Sequence, residues 1–109
     1  MIEERFRAIR LHKILGNPLR GKILRELHAC PRTPTRLARL VNRPLPAISR
    51  ALGILHVDGL IGYRSIGKYV LYHLRHPEVI ALLELAEAFV RRFNLPTPPP
   101  AHRASSAAP

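Results

Sequence analysis

The stretch TPTRLARLVNRPLPAISRALGILHV, residues 33–57, decides how the rest of the chain is organised. It opens on Thr33-Pro34, a helix-capping residue followed by a proline suited to a first helical turn. Apolar side chains then recur at helical spacing on both sides of Asn42-Arg43-Pro44, and these are Leu37, Leu40, Val41, Ile48, Leu52 and Leu55. The pattern predicts two consecutive helices joined by a tight turn.

Two more helices are predicted on the N-terminal side of this pair. Residues 2–15 carry apolar side chains three or four positions apart, and Gly16 ends the pattern. Asn17-Pro18 repeats the combination of cap and proline, and the helix that it opens ends before Pro31.

A β-hairpin is predicted after the fourth helix, which ends at Gly59. The apolar period falls to two along Val70–Leu74, as in a half-buried strand. Residues 61–64 are the predicted partner strand, and residues 65–68 form a turn in which a glycine supplies positive φ.

A last helix is predicted from Pro77 to Phe93. The fold class is therefore mainly α with a small β-hairpin, in the order α1-α2-α3-α4-β1-β2-α5. Three central helices followed by a hairpin make a winged helix-turn-helix. The first and last helices keep apolar faces that so small a domain cannot cover, which favours a homodimer. The predicted interface residues are Phe6, Ile9, Leu82, Leu83, Ala86, Phe89, Val90 and Phe93.

Length and composition limit the classes of function. The 109 residues suffice for one folded domain, residues 1–94, and residues 95–109 form a Pro- and Ala-rich tail expected to be disordered. No apolar run approaches the roughly 20 residues of a membrane span, and the N-terminus lacks a signal-peptide pattern. A single cysteine fits a reducing compartment, so a cytoplasmic protein with no membrane partner is expected. No phosphate-binding loop or hydrolase motif occurs, so neither an enzyme nor a cofactor is expected.

Charge indicates the partner. Lys and Arg number 18 against 7 Asp and Glu, a formal charge of +11. Residues 5–50 hold 12 of these basic residues and a single acid, Glu26. Because a solvated face usually mixes both signs, the excess favours a polyanion, most simply double-stranded DNA.

The helix-turn-helix assignment says which residues would meet DNA. The first two turns of the fourth helix would reach base edges in the major groove, the wing would contact the minor groove or backbone, and the neighbouring helix would lie along phosphates. The predicted DNA-binding residues are Thr33, Thr35, Arg36, Arg39, Arg43, Ala47, Ser49, Arg50, Gly53, Arg64 and Lys68.

Four segments resemble motifs of the ArsR-type (ArsR/SmtB-like) winged-helix repressors. Leu15–Leu24 resembles the opening L-x-x-P-x-R-x-x-I-L of that family, and Pro46–Leu52 resembles its recognition helix. Leu55–Ile61 resembles the helix exit L-x-x-x-G-L-[VI], and Gly67–Leu74 resembles the wing motif G-[RK]-x-V-x-Y-x-L. The resemblance implies a dimeric transcriptional repressor that is joined through its first and last helices and whose operator binding is weakened by an inducer. Because a two-fold dimer reads two half-sites, an inverted repeat is the expected binding sequence.

The sequence departs from that family at two positions. Ala51 stands where the family usually has histidine, and Pro44 stands where a Ser or Thr usually caps the recognition helix. A proline has no side chain that can cap, so it stiffens the turn instead.

The inducer is left open by the sequence. Of the four metal-ligand positions that the family uses on its last helix, only His76 and Glu78 carry suitable side chains, which is too few for a tetrahedral site, so no metal is expected. Cys30 is a candidate redox site, because basic residues lie near it in the sequence. A buried structural thiol is the simpler expectation for it.

Two other uses of the fold remain open, namely binding of structured RNA and binding of a protein partner. RNA binding would use exposed aromatic side chains, for which Tyr63 and Tyr69 are candidates. The basic half of the chain argues against a role confined to protein partners.

Overall fold

The computed structural model describes residues 2–97 of the chain. Its elements are α1 (Ile2–Leu15), α2 (Pro18–Ala29), α3 (Pro34–Val41), α4 (Leu45–Val57), β1 (Ile61–Ile66), β2 (Tyr69–Leu74) and α5 (Glu78–Phe93). This order is the predicted one, and it is that of a winged helix-turn-helix. Most of the predicted tail, residues 98–109, lies outside the described part, and residues 95–97 belong to no helix or strand.

Local capping bonds begin two of the helices. The Asn17 side chain accepts a hydrogen bond from the Arg20 N–H at 3.0 Å, and the Thr33 hydroxyl accepts one from the Arg36 N–H at 3.2 Å. In both cases a proline occupies the next position, where a helix has no use for its missing N–H. The sequence therefore fixes where α2 and α3 begin.

The turn of the helix-turn-helix depends on Asn42. This residue adopts the left-handed conformation (φ 55°), which asparagine tolerates better than most residues. The Asn42 and Arg43 N–H groups donate to carbonyls of the last turn of α3, so the chain reverses within three residues. Pro44 then precedes α4 without any side-chain cap, as expected.

Gly59 ends α4 in a Schellman motif. Its φ is +78°, and its N–H donates to the His56 carbonyl at 3.0 Å. The Leu60 N–H donates to the Leu55 carbonyl at 3.0 Å, and the Leu60 side chain is buried against the end of the helix. β1 begins at the next residue, Ile61, so this motif sets the direction in which the chain enters the hairpin.

The core lies where α2, α3 and α4 meet the base of the hairpin. Its largest fully buried side chains are Ile23, Leu24, Leu37, Ile48, Leu52, Leu55 and Ile61. Each such side chain contributes about 1.5–3 kcal/mol by leaving water. This core fixes α4 on one side and leaves its other side in solvent.

The hairpin is longer and its turn tighter than predicted. Antiparallel pairing continues to Ile66 opposite Tyr69, so the predicted four-residue turn was wrong and only Gly67-Lys68 connects the strands. Gly67 has φ +59°, as the first central position of a two-residue II′ turn requires.

Beyond the hairpin, Arg32 forms an unpredicted antiparallel bridge with Tyr72, with N···O distances of 2.8 and 3.0 Å.

Two helices keep large apolar surfaces in solvent. Every side chain of residues 2–10 in α1 is exposed, including Phe6 at 73%. On α5 the side chains Leu82, Phe89, Val90 and Phe93 are exposed as well, whereas Leu83 packs partly against the core. A shallow apolar groove lies between the end of α1 and α5.

Candidate nucleic-acid interface

The outward face of α4 carries most of the residues predicted for it. Ser49, Arg50 and Gly53 are exposed, and Ala47 is half-buried. Ile48 and Leu52 lie on the opposite face, with no more than 1% of their surface exposed. The helix therefore presents a Ser-Arg pair to solvent on a rigidly packed support.

Ala51 does not belong to that outward face. Its side chain is buried, at the floor of a shallow groove between the beginning of α2 and α4. Arg43 and Arg50 line the same groove. The departure from histidine at this position therefore removes a side chain from a groove bordered by cations.

The residues predicted on and beside α3 form the neighbouring surface. Thr35, Arg36, Arg39 and Arg43 are all exposed. Thr33 is half-buried, and its hydroxyl already accepts the Arg36 N–H as the cap of α3. Thr35, Arg39 and Arg43 line a shallow groove together with residues of the turn that leads into α4.

The wing adds two more exposed cations. Arg64 lies on β1, and Lys68 occupies the turn beside the exposed Tyr69, with its Nζ 5.7 Å from the centre of that ring. Tyr63 is also exposed, but its ring contacts those of His56 and Tyr72, with centroids 5.1 and 5.4 Å apart. This stack joins the end of α4 to the hairpin.

Ion pairs divide the arginines of the chain into two groups. Within residues 2–97 the four ion pairs are Arg7–Glu3, Arg10–Asp58, Arg25–Glu87 and Arg32–Glu26. The cations predicted to bind DNA take no part in these four pairs. They are Arg36, Arg39, Arg43, Arg50, Arg64 and Lys68. These six cations on α3, α4, the turn between them and the wing therefore keep their charge free of carboxylate partners within the described residues, and we call the surface that they form the basic surface.

The sequence did not predict the ion pair between α1 and α4. Arg10 donates to both carboxylate oxygens of Asp58, from Nε at 2.8 Å and from Nη2 at 3.4 Å. The hydrogen bond and then the charge of Asp58 raise the pKa of Arg10 above its ordinary value. Because 48 positions separate the two residues, no local pattern could have indicated the contact.

The candidate sensing residues do not form a site in the described part of the chain. Cys30 is exposed, so the expectation of a buried thiol was wrong. It caps the end of α2 in an extended conformation just before Pro31, which carries it away from the core. His76 and Glu78 are also exposed, and within residues 2–97 no three side chains of His, Cys, Asp or Glu come together as metal ligands would.

Comparison with solved structures identifies the fold. Reduced HlyU from Vibrio cholerae matches 82% of this chain and 94% of its own length, at 29% identity and a TM-score of 0.71. The transcriptional regulator HlyU from Vibrio vulnificus matches 82% of this chain and 93% of its own, at 29% identity and a TM-score of 0.68. A third neighbour is the homodimeric winged helix-turn-helix DNA-binding domain Mb0332 from Mycobacterium bovis, a possible ArsR-family regulator. It matches 84% of this chain and 85% of its own length, at 24% identity and a TM-score of 0.73.

No protein-family model matches the sequence, and a search of curated proteins finds no significant match. No helix among residues 2–97 is both long enough and apolar enough to cross a bilayer. The structural neighbours are transcriptional regulators rather than enzymes. The likeness to winged-helix transcriptional regulators that four sequence motifs indicated is therefore confirmed, and one of these neighbours is described as a possible ArsR-family regulator.

Proposed function

We propose that this protein is a transcriptional repressor that binds double-stranded DNA as a homodimer on an inverted repeat. The observation that carries the proposal is the basic surface, where six cations without carboxylate partners border an outward helix. Such a surface matches the charge of a phosphate backbone, and counterion release on binding would supply much of the affinity. A protein of this kind acts in the cytoplasm and catalyses no reaction.

The residues of the basic surface have different roles in this proposal. Arg50 reads a guanine edge or clamps a phosphate, Ser49 bonds a phosphate or a base, and Ala47 contacts a thymine methyl. Gly53 lets the backbone of α4 approach the DNA closely. Thr33, Thr35, Arg36, Arg39 and Arg43 lie along the flanking phosphates, and Arg64 and Lys68 reach the minor groove or the backbone.

Dimerisation rests on the apolar surfaces of α1 and α5. Phe6 and Ile9 on α1 and Phe89, Val90 and Phe93 on α5 are each at least 46% exposed in the single chain. Exposed apolar side chains grouped on two helices are typical of an interface, and a two-fold dimer would cover them. The Mycobacterium bovis neighbour is described as homodimeric, which supports a dimer here without indicating which surfaces meet.

We also propose that residues 1–94 form the folded unit and that residues 95–109 are a separate tail. The end of α5 at Asn94, which has φ 50°, supports a boundary at this position. The left-handed conformation stops the helix, and the prolines that follow cannot resume it.

Selection of bound fragments from random double-stranded DNA tests the proposed function. We expect the selected sequence to be an inverted repeat. The logarithm of the affinity should fall linearly with the logarithm of the salt concentration, with a slope of about −0.9 per phosphate contact. Arg50→Ala should weaken binding to the selected sequence by about 1–3 kcal/mol. Arg7→Ala removes the same charge from α1 and serves as the matched control.

Three outcomes would contradict the proposal. A flat response to salt would indicate a protein partner, and preferential binding of structured RNA would favour the second use of the fold. Equal affinities for Arg50→Ala and Arg7→Ala would remove α4 from the role of recognition helix. Repeating the selection with metals and with oxidants would show which, if either, releases the DNA.

A further inference from the structure

The contact between Arg10 and Asp58 joins the two parts of the molecule with different proposed tasks. Asp58 is the C-terminal cap of α4, and its own N–H donates to the Ile54 carbonyl at 3.2 Å. Its side chain is only 16% exposed, so the carboxylate is held in place by its surroundings. Arg10 comes from α1, which carries half of the proposed dimer interface.

The attachment of α1 to the body makes this contact important. Leu11, Ile14 and Leu15 pack on the core, and Arg20 donates to the Ile14 carbonyl at 2.9 Å, which fixes the C-terminal end of the helix. All side chains of residues 2–10 are exposed. Of the contacts that tie α1 to the body, the Arg10–Asp58 pair therefore lies nearest the free end. The helix beyond it is an arm of about 12 Å, at 1.5 Å per residue.

The pair also lies beside the outward face of α4. Arg10 and Asp58 border a groove whose other walls include Ser49, Arg50 and Gly53. A change in the direction of α1 would therefore change its position relative to α4, the helix proposed to read DNA.

We propose that Arg10 is a positioning residue, whose bond to Asp58 sets the angle between α1 and α4 and so selects the spacing between half-sites. This inference rests on the proposed function. In a dimer joined through α1 and α5, the angle of each α1 fixes how far apart the two α4 helices lie and how they are turned. One base pair changes the distance between half-sites by about 3.4 Å and their relative rotation by about 35°. A small tilt of α1 would move the two α4 helices relative to each other by an amount comparable with that step.

A competing role for Arg10 makes opposite predictions. If Arg10 instead contacts a phosphate, Asp58 competes with the DNA for it, and removing the carboxylate should strengthen binding. If Arg10 is a positioning residue, both partners of the pair are needed, and removing either should have the same effect. The two single variants therefore distinguish the roles.

The test uses the full chain and the inverted repeat obtained by selection, with spacers one and two base pairs longer and shorter, and a single half-site. Arg10→Gln and Asp58→Asn should each reduce the preference for the best spacer by about fivefold, the effect of an exposed ion pair. Binding to the single half-site should stay unchanged. The double variant Arg10→Asp with Asp58→Arg should restore the preference.

Arg7→Gln is the matched control, because Arg7 pairs with Glu3 within α1 and makes no ion pair with the body. It should keep the spacer preference of the unaltered protein. Arg10→Gln changes an exposed side chain, so it carries the test even if Asp58→Asn reduces the melting temperature. Spacer preference unaffected by Arg10→Gln would overturn the inference. The inference would also be overturned if Arg10→Gln weakened binding equally for all spacers, with a smaller salt slope, while Asp58→Asn bound DNA more strongly. These results would make Arg10 a phosphate contact. Failure of the unaltered protein to select any inverted repeat would instead overturn the proposed function.

Discussion

At the scale of single residues, the arginines divide between building the fold and leaving charge in solvent. Arg20 bonds the last carbonyls of α1, and Arg32 donates to the Glu26 carbonyl at 3.1 Å while its backbone pairs with Tyr72. These two stabilise helix ends and an edge of the sheet. Arg50 makes no such bond within the described part of the chain, although all three residues look alike in the sequence.

Gly53 gives a prediction at the same scale. It lies in the middle of α4 on the outward face, and a Cβ added there would meet no atom within 4 Å beyond its chain neighbours and the backbone of its own helix. Because a glycine inside a helix costs about 1 kcal/mol relative to alanine, Gly53→Ala should raise the melting temperature by about 4–8 °C. The same methyl group would hold DNA away from the helix, so affinity for the selected sequence should fall. Thermal unfolding and DNA titration measure the two effects.

Gly21→Ala is the matched control for Gly53→Ala. Gly21 also lies inside a helix, α2, and a Cβ there would likewise meet no atom within 4 Å beyond its chain neighbours and the backbone of that helix. It should raise the melting temperature in the same way without weakening DNA binding. An affinity unaffected by Gly53→Ala would argue that α4 does not approach DNA closely at this position.

At the scale of elements, the sequence predicted what local chemistry determines. Asn17-Pro18 and Thr33-Pro34 fix the beginnings of α2 and α3, and Gly59 fixes the end of α4, because capping depends on residues within one turn. The outward position of Arg50 also followed from the local apolar period, since Ile48 and Leu52 had to face the core. The basic surface was accessible to sequence reasoning for the same reason.

The features that were missed depend on contacts between distant segments. The bridge from Arg32 to Tyr72 and the pair of Arg10 with Asp58 join residues at least 40 positions apart, which no local period reveals. The turn of the hairpin was predicted to begin two residues too early because Ser65 is common in turns, whereas the β-branched Ile66 favours the strand in which it lies. Cys30 was assigned to the interior because cysteine usually lies there, whereas its position at the end of α2 keeps it in solvent.

The wing gives a prediction at this scale, because a two-stranded hairpin alone is only marginally stable. The stack of His56, Tyr63 and Tyr72 ties it to α4. Tyr63→Ala removes both aromatic contacts and should destabilise the hairpin by about 1–2 kcal/mol. Amide hydrogen exchange of residues 61–66 and 69–74 should become faster, while the exchange rates of the amides of α2 should change little.

Tyr69→Ala provides the comparison, because Tyr69 is an exposed tyrosine on the same hairpin whose ring contacts no other aromatic ring within the described residues. Its hairpin amides should keep the exchange rates of the unaltered protein. Equal acceleration in the two variants would show that the stack does not hold the wing.

At the scale of the whole molecule, the chain has one small core and a second apolar surface that this core does not use. The core is complete without residues 2–10 and without the outer face of α5. Stable interfaces bury about 800 Å² on each partner, and two helices with exposed Phe side chains are well suited to supply it. The same arrangement would place two α4 helices in one assembly, as an inverted repeat requires.

Phe89→Glu tests that arrangement. Phe89 is 52% exposed and its ring lies 4.7 Å from that of Phe93, so a carboxylate there would be forced into the proposed interface. Because an unpaired charge costs several kcal/mol on burial, the variant should sediment as a monomer and bind the inverted repeat much more weakly, with an unchanged helical content. Ala88→Glu places the same charge on the exposed side of α5 away from the apolar face and should remain dimeric. A Phe89→Glu variant that still sediments as a dimer would move the interface elsewhere, and with it the explanation for the exposed faces of α1 and α5.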